Sequence, residues 1–491
     1  MTDNHAPASD RRIATVFLLA LGAYFAAQVG LRVALGGSFE GDEAEMVVLA
    51  RDWHFASGSQ PPLYNWYQTL FFKLFGVGTL GLVLAKNLML CATYAVTFLA
   101  LRPLAGVRPA MLGALALGLI PTLAWWSQRT GSHSIALALT TALTVAAFLH
   151  LLRAPGRGRY LLFGLAIGLG GLAKPNYWMV PPALILAGLS MPVWRGVFWD
   201  RRLWLSGAVA LVVIAAPYAA MLAAPLATFS DTWEFRAGAG GAAQAMWPKG
   251  LAYVVQSALI EAVPALLMAA AALAFGGRAM RRLPHIRPEA AVLMRAALIG
   301  LGLVALGVVV TDTGFFRPRW LLPLFILGLP AAMMTLLADA SGRTRRNVVR
   351  AMAGLALLVL AAIADTRLRG AGSDSLRVDR LAEVIEETVP DVPRLLGPHY
   401  YTGNLLLHRP GWTAFPPYPT DWLIMPHGRV LVIEERKRPD EALGLLREQG
   451  YRGATLPAPV LSREVLIPYR FEDAAPRRLR LTLFDFGPTR H

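Results

Sequence analysis

Long apolar runs separated by short arginine-bearing connections fill the first 364 positions, and the pattern stops there. A helix needs about 17 or more mainly apolar residues to cross a hydrocarbon core. Eleven runs reach or approach that length: roughly 13–35, 79–101, 109–126, 131–152, 160–173, 177–193, 203–223, 250–275, 292–311, 320–338 and 351–364. They predict an all-α polytopic membrane domain over residues 1–364 with about 11 transmembrane helices. Between Pro61 and Gly76 the run PPLYNWYQTLFFKLFG is too short to span; with Trp66, Tyr67 and Lys73 it reads as a helix lying in the membrane interface. Residues 225–248 contain AGAGGAAQA, a flexible run expected to form a lid over a cavity. From 365 to 491 the apolar runs give way to alternation. SLRVDRLAEVIEETV and DEALGLLREQG have helical spacing, whereas RVLVIEE and RLRLTLFDF have the spacing of strands, so this part is expected to be a small soluble α/β domain.

Composition sharpens the membrane reading. The chain is 55% hydrophobic and only 16% charged, with a mean hydropathy of +0.47, which excludes an ordinary soluble enzyme. The formal net charge of +16 does not indicate nucleic acid, because the basic residues lie in short clusters between apolar runs, where lipid headgroups and topology account for them. With the N-terminus inside, the inside connections hold nineteen basic residues and the outside ones eight, the asymmetry expected of that orientation. The acidic loop described next, residues 36–78 with the interfacial helix, and the C-terminal domain then face outward. No cleavable signal peptide is expected, since the first apolar run is too long for one. The single cysteine, Cys91, excludes an intrachain disulfide and a thiolate metal cage.

The candidate chemistry begins in that loop. Only fourteen acidic residues precede Asp365, and five of them, Glu40, Asp42, Glu43, Glu45 and Asp52, fall just after the first span. Carboxylates at a bilayer edge point to function. Four further features share this side: the Gln60-Pro61-Pro62-Leu63-Tyr64 turn, GLAKPNYW with Lys174 and Tyr177, FFRPRWLLPL with Arg317 and Arg319, and Lys86 about two turns into the second span. Guanidinium and ammonium groups at headgroup depth suit a lipid-linked phosphate. His54 is expected on an amphipathic helix of the acidic loop, within reach of substrate. Glu261, in the middle of the eighth run, has no assignable partner.

The order of these elements, with an Asp-Glu pair after the first span, then QPPLYNW, GLAKPNYW and FFRPRWLLPL, resembles the GT-C glycosyltransferases. Within them it is similar to the group of protein O-mannosyltransferases and the aminoarabinose and galacturonic acid transferases of bacterial lipid A and lipopolysaccharide core. The resemblance covers about residues 13–338 and implies a multi-pass protein of the bacterial inner membrane. It implies a sugar carried on polyprenyl monophosphate and transferred with inversion to an envelope glycolipid, glycan or protein at the periplasmic face. The family's loop acid maps onto Asp42, with Glu43 beside it as proton acceptor. Lys86, Lys174, Tyr177, Arg317, Arg319, Gln60, Tyr64 and His54 are expected around the donor and its phosphate, without a compulsory divalent metal. The sequence departs from the pattern at Gln60, where some relatives carry a basic residue, and at His133, where many carry Asp. A transporter or flippase of a polyprenyl lipid or glycolipid is the competing class, but it gives the acidic pair no purpose and predicts repeat-related broken helices that are not visible.

Overall fold

A computed structural model describes residues 8–230, 245–277, 280, 284–369, 372–389, 391–416, 418–419, 427–435, 441–448, 451, 453, 455–471 and 475–487. Most of the Gly/Ala-rich run expected to form a lid lies outside them. Helices α1 (Ala8–Leu35), α2 (Gly41–Leu49), α3 (Leu63–Phe75), α4 (Thr79–Ala105), α5 (Val107–Leu115), α6 (Ser127–Arg129), α7 (His133–Arg153), α8 (Arg157–Gly171), α9 (Val180–Ser190) and α10 (Pro192–Trp199) come first. They are followed by α11 (Leu203–Ala223), α12 (Pro225–Thr228), α13 (Trp247–Phe275), α14 (Pro288–Val310), α15 (Leu322–Leu336) and α16 (Gly342–Leu368).

Among the described residues, seven helices are long and apolar enough to cross a membrane: α1, α4, α7, α11, α13, α14 and α16. The protein is a multi-pass membrane protein. The apolar runs at 160–173, 177–193 and 320–338 become the shorter helices α8, α9 and α15, packed against α11, α14 and α5 respectively. The run at 109–126 is not one helix: Val107–Leu119 and Thr122–Arg129 meet at a bend of 75°. Pro121 sits at the break, where a residue without an N–H cannot continue the ladder, and the chain resumes as a π-helical turn over Thr122–Trp126 before α6. Such turns recur at functional sites.

The C-terminal part adds α17 (Val378–Thr388), α18 (His399–His408), α19 (Glu441–Glu448) and strands β1 (Arg394–Leu396), β2 (Arg429–Glu434), β3 (Leu461–Ile467) and β4 (Arg477–Asp485). They form one four-stranded sheet in the order β1-β2-β4-β3, parallel between β1 and β2 and antiparallel elsewhere. Along β2, Leu431 and Ile433 pack with Leu381, Ile385 and Leu405 of α17 and α18. The alternate residues Val430 and Val432 pack with Ala442 and Leu446 of α19. Both faces of the sheet are thus covered at β2, which is buried at every residue after Arg429 as such a strand requires. This domain sits on the same end of the bundle as α2: Ser38 N–H donates to the Asp374 carbonyl at 3.0 Å, and its hydroxyl to the Leu376 carbonyl at 2.8 Å.

Candidate active site

The loop between α1 and α3 owes its shape to two glycines. Gly36 and Gly37 have φ of 61° and 87°, a region costly for other residues, and they turn the chain sharply out of α1. Helix α2 then starts with a capping box in which Glu40 and Glu43 satisfy each other's backbone N–H groups. Capping fixes the rotation of α2, so Asp42 and Glu43 face different surroundings.

Glu43 points inward and is 1% exposed. Its Oε1 accepts from Lys86 Nζ at 2.6 Å, and its Oε2 lies 3.5 Å from Arg32. Lys86, itself 1% exposed, donates further to the Gln128 carbonyl at 3.4 Å. Burial pushes the Glu43 carboxyl up, but Lys86, Arg32 and Arg367 together hold it below the usual carboxylate range. Glu43 is thus held as a carboxylate inside a buried cluster, whereas Asp42, expected beside it in the same role, is not. Lys86, expected near the donor phosphate, has its ammonium against the Glu43 carboxylate.

Asp42 is half-buried at the rim. Its backbone N–H donates to Thr130 Oγ1 at 3.3 Å, and among the described residues its carboxylate has neither an ion pair nor a hydrogen bond. It lies close enough to Tyr64 to act on it electrostatically: burial first, then Glu43, Tyr67 and Asp42 push the Tyr64 phenol up. The phenol therefore stays protonated and can donate. The Tyr64 ring is 5.7 Å from the His133 ring, and His133 Nε2 is buried without a partner. Beside it, Lys174 Nζ donates to Ser134 Oγ at 2.9 Å. Asn176 ties the Lys174 turn to the next loop by donating to the Trp320 carbonyl at 2.9 Å. In that loop the Arg319 guanidinium lies 5.1 Å over Trp126, with its Nε buried and unpaired, and Arg317 lies 5.6 Å over Phe315.

The bent segment underlies all of this. Trp126 supports Arg319, the Gln128 amide donates to Asn87 at 2.9 Å, Arg129 pairs with Glu40 at 2.8 Å, and Thr130 receives the Asp42 amide. At its other end Thr122 donates its backbone N–H, at 3.2 Å, and its hydroxyl to the Glu261 carboxylate, which supplies the partner that the sequence did not reveal. An almost wholly apolar cavity of about 610 Å³ runs along α1 from Arg12 to Phe25, between α5 and α16, and ends at Gln128.

Three sequence-predicted residues lie elsewhere or play another part. Tyr177 turns into the bundle, its hydroxyl 2.6 Å from Thr144 Oγ1. His54 is exposed beyond the end of α2, not on it, and only its carbonyl is engaged, by Trp66 Nε1 at 2.7 Å. Gln60 donates to Ser59 at 3.2 Å and keeps a buried, unpaired Oε1. Glu40 was among the acidic residues singled out, whereas Arg32, Gln128 and Arg129 were not; an arginine in the last turn of the first apolar run was the signal for Arg32. Among the described residues no three His, Cys, Asp or Glu side chains are grouped to hold a metal ion.

Comparison with known proteins shows the family to which the chain belongs. Residues 59–219 match the family model described as dolichyl-phosphate-mannose-protein mannosyltransferase. The lipopolysaccharide core galacturonosyltransferase RgtB of Rhizobium johnstonii is 31% identical over 82% of this chain and 83% of its own. The chain is a GT-C membrane glycosyltransferase. RgtA of the same organism, also a lipopolysaccharide core galacturonosyltransferase, is 34% identical over 68% of each chain. The fold of this glycosyltransferase also matches ArnT from Cupriavidus metallidurans, solved with undecaprenyl phosphate, at a TM-score of 0.62 and 15% identity over 96% of this chain and 97% of that one.

Proposed function

We propose that this glycosyltransferase moves a galacturonosyl unit from a polyprenyl monophosphate carrier to a sugar hydroxyl of the lipopolysaccharide core, at the outer face of the inner membrane. The observation that carries the reading is the contrast within α2: the Asp42 carboxylate has no partner among the described residues, while Glu43 is locked beneath it. Two relatives named as core galacturonosyltransferases support the sugar and the acceptor. The positive-inside asymmetry supports an inside N-terminus, with the loop and C-terminal domain outside.

In the reaction, the acceptor hydroxyl oxygen attacks the anomeric carbon from the face opposite the phosphate. The new C–O bond forms as the bond from carbon to phosphate oxygen breaks, and the configuration inverts. Asp42 takes the hydroxyl proton, and its charge opposes positive charge building on the sugar ring. The departing polyprenyl phosphate keeps the electron pair, and Arg319, with Arg317 and Lys174, stabilises it. Arg319 suits this role because its guanidinium rests over the Trp126 ring and its buried Nε has no partner among the described residues. The polyprenyl chain lies in the apolar cavity that ends at Gln128, beneath the same bent segment.

The test is turnover of purified enzyme in detergent with polyprenyl-phosphate galacturonate and a core oligosaccharide acceptor, read by mass spectrometry. One uronate added by the wild type and none by Asp42→Asn is the expected result. Equal transfer by both would overturn the assignment of Asp42, and no transfer by the wild type with this donor would overturn the choice of sugar.

A further inference from the structure

The loop that carries Asp42 is held from above by the C-terminal domain as well as from below by the membrane helices. Asn404 of α18 is 0% exposed. Its Oδ1 accepts from the Phe39 N–H at 2.7 Å, and its Nδ2 donates to the Phe39 carbonyl at 3.0 Å and to the Tyr400 carbonyl at 2.7 Å. One amide side chain therefore closes both backbone groups of a residue three positions before Asp42. At the preceding residue, Gly403, α18 lies so close to α2 that an added Cβ would run into the Ala44 carbonyl. Arg51, just past α2, donates to the Leu406 and Pro410 carbonyls at 3.3 Å each, and Arg470 donates to the Leu35 carbonyl at 2.9 Å. Both ends of the loop and its middle are thus tied to one domain. That domain has its own sheet and cores, so it offers a rigid platform to a segment that leaves α1 through two glycines.

We propose that the C-terminal domain is a positioning element of the active site, in which the Gly403–Asn404 step of α18 sets the placement of Phe39 to Ala44 and hence of the Asp42 carboxylate. The proposal rests on the reading of Asp42 as the base. A base displaced by about 1 Å loses on the order of 100-fold in turnover without any change in substrate contacts. The domain so contributes to kcat through the loop that it holds.

The experiment uses the full-length enzyme and compares Asn404→Ala, Asn404→Asp, Gly403→Ala and, as a control on the exposed edge strand, Arg463→Ala. Turnover per folded molecule, KM for the lipid donor and melting temperature are read together. Asn404→Ala is expected to lower kcat about 100-fold while KM for the donor stays within about twofold, because a displaced base acts on the transition state alone. Asn404→Asp keeps the acceptor for the Phe39 N–H and is expected to fall between Asn404→Ala and the wild type, with Arg463→Ala at the wild-type value. Gly403→Ala is expected to lower kcat as well. If Asn404→Asp and Gly403→Ala melt at lower temperature but turn over at the wild-type rate per folded molecule, the domain is only a structural support and the proposal falls. Should Asn404→Ala fail to accumulate, those two variants decide by the same criterion. A fully active Asp42→Asn would instead sink the base assignment. An inactive Asp42→Asn beside unaffected Asn404 variants would sink the positioning role alone.

Discussion

Asp42 and Glu43 are adjacent on one helical turn, yet the two sides of α2 do opposite work. Beneath the helix, Glu43, Lys86 and Arg32 form a buried cluster in which one carboxylate sits between two cations. Above it lie the half-buried Asp42, Lys174 and Arg319 and the buried Tyr64 and His133 rings; the Asp42 carboxylate and the Arg319 guanidinium both lack a counter-ion among the described residues. A buried pair is weak evidence of net stabilisation but strong evidence of cost when one partner is removed. An unpaired charge at a rim has the reverse signature, since its loss costs little folding and much function. In the proposed mechanism the cluster beneath serves as scaffold and the rim receives the substrate.

The largest expected break of this contrast is Lys86→Met, which strands a buried carboxylate and is expected to destabilise the fold by about 3 kcal/mol, the low end for such a pair because Arg32 remains. Thermal melting in detergent measures it, and an unchanged melting temperature would move Lys86 to the substrate side. Arg319→Ala comes next: loss of a charge-assisted contact to phosphate is expected to lower kcat/KM about 10- to 100-fold with the melting temperature nearly unchanged. A smaller effect follows from the depressed Glu43 carboxyl. Its stabilisation is fully present above its ordinary value of 4.5 and is lost as pH falls through the lower folded value. The stability gap between wild type and Glu43→Gln should therefore close progressively below that pH, and a gap constant through the acid range would show that the charge is immaterial. Least of all, His54→Ala is expected to change turnover by no more than about twofold, since a surface substitution away from a partnered group costs little.

The sequence carried the layers of this molecule further than its contacts. Apolar runs predicted the long helices, the aromatic-rich stretch after Pro61 predicted α3, and the short β-branched apolar run at Val430 and the alternation around Leu481 predicted strands, because burial pattern is local information. The order of QPPLYNW, GLAKPNYW and FFRPRWLLPL also brought Lys174 and Arg319 to the same end of the bundle as Asp42. What stayed hidden depends on rotation and pairing across long separations. Nothing local says that Glu43 faces in while Asp42 faces out, since the capping box that fixes α2 is completed only in the fold. Glu261 and Thr122 are separated by 139 positions, and Asn404 and Phe39 by 365. Pro121 was a legible signal that the third apolar run is broken, and with it the bent segment could have been foreseen.

The most direct measurement is a paired one, in which Asp42→Asn and Glu43→Gln are purified side by side and both turnover per folded molecule and melting temperature are recorded. The account predicts that Asp42→Asn melts like the wild type and loses about 1000-fold in kcat, the scale of a removed general base. Glu43→Gln should melt markedly lower while its folded fraction keeps most of its turnover. The opposite pairing, an active Asp42→Asn and a stable but inactive Glu43→Gln, would contradict it.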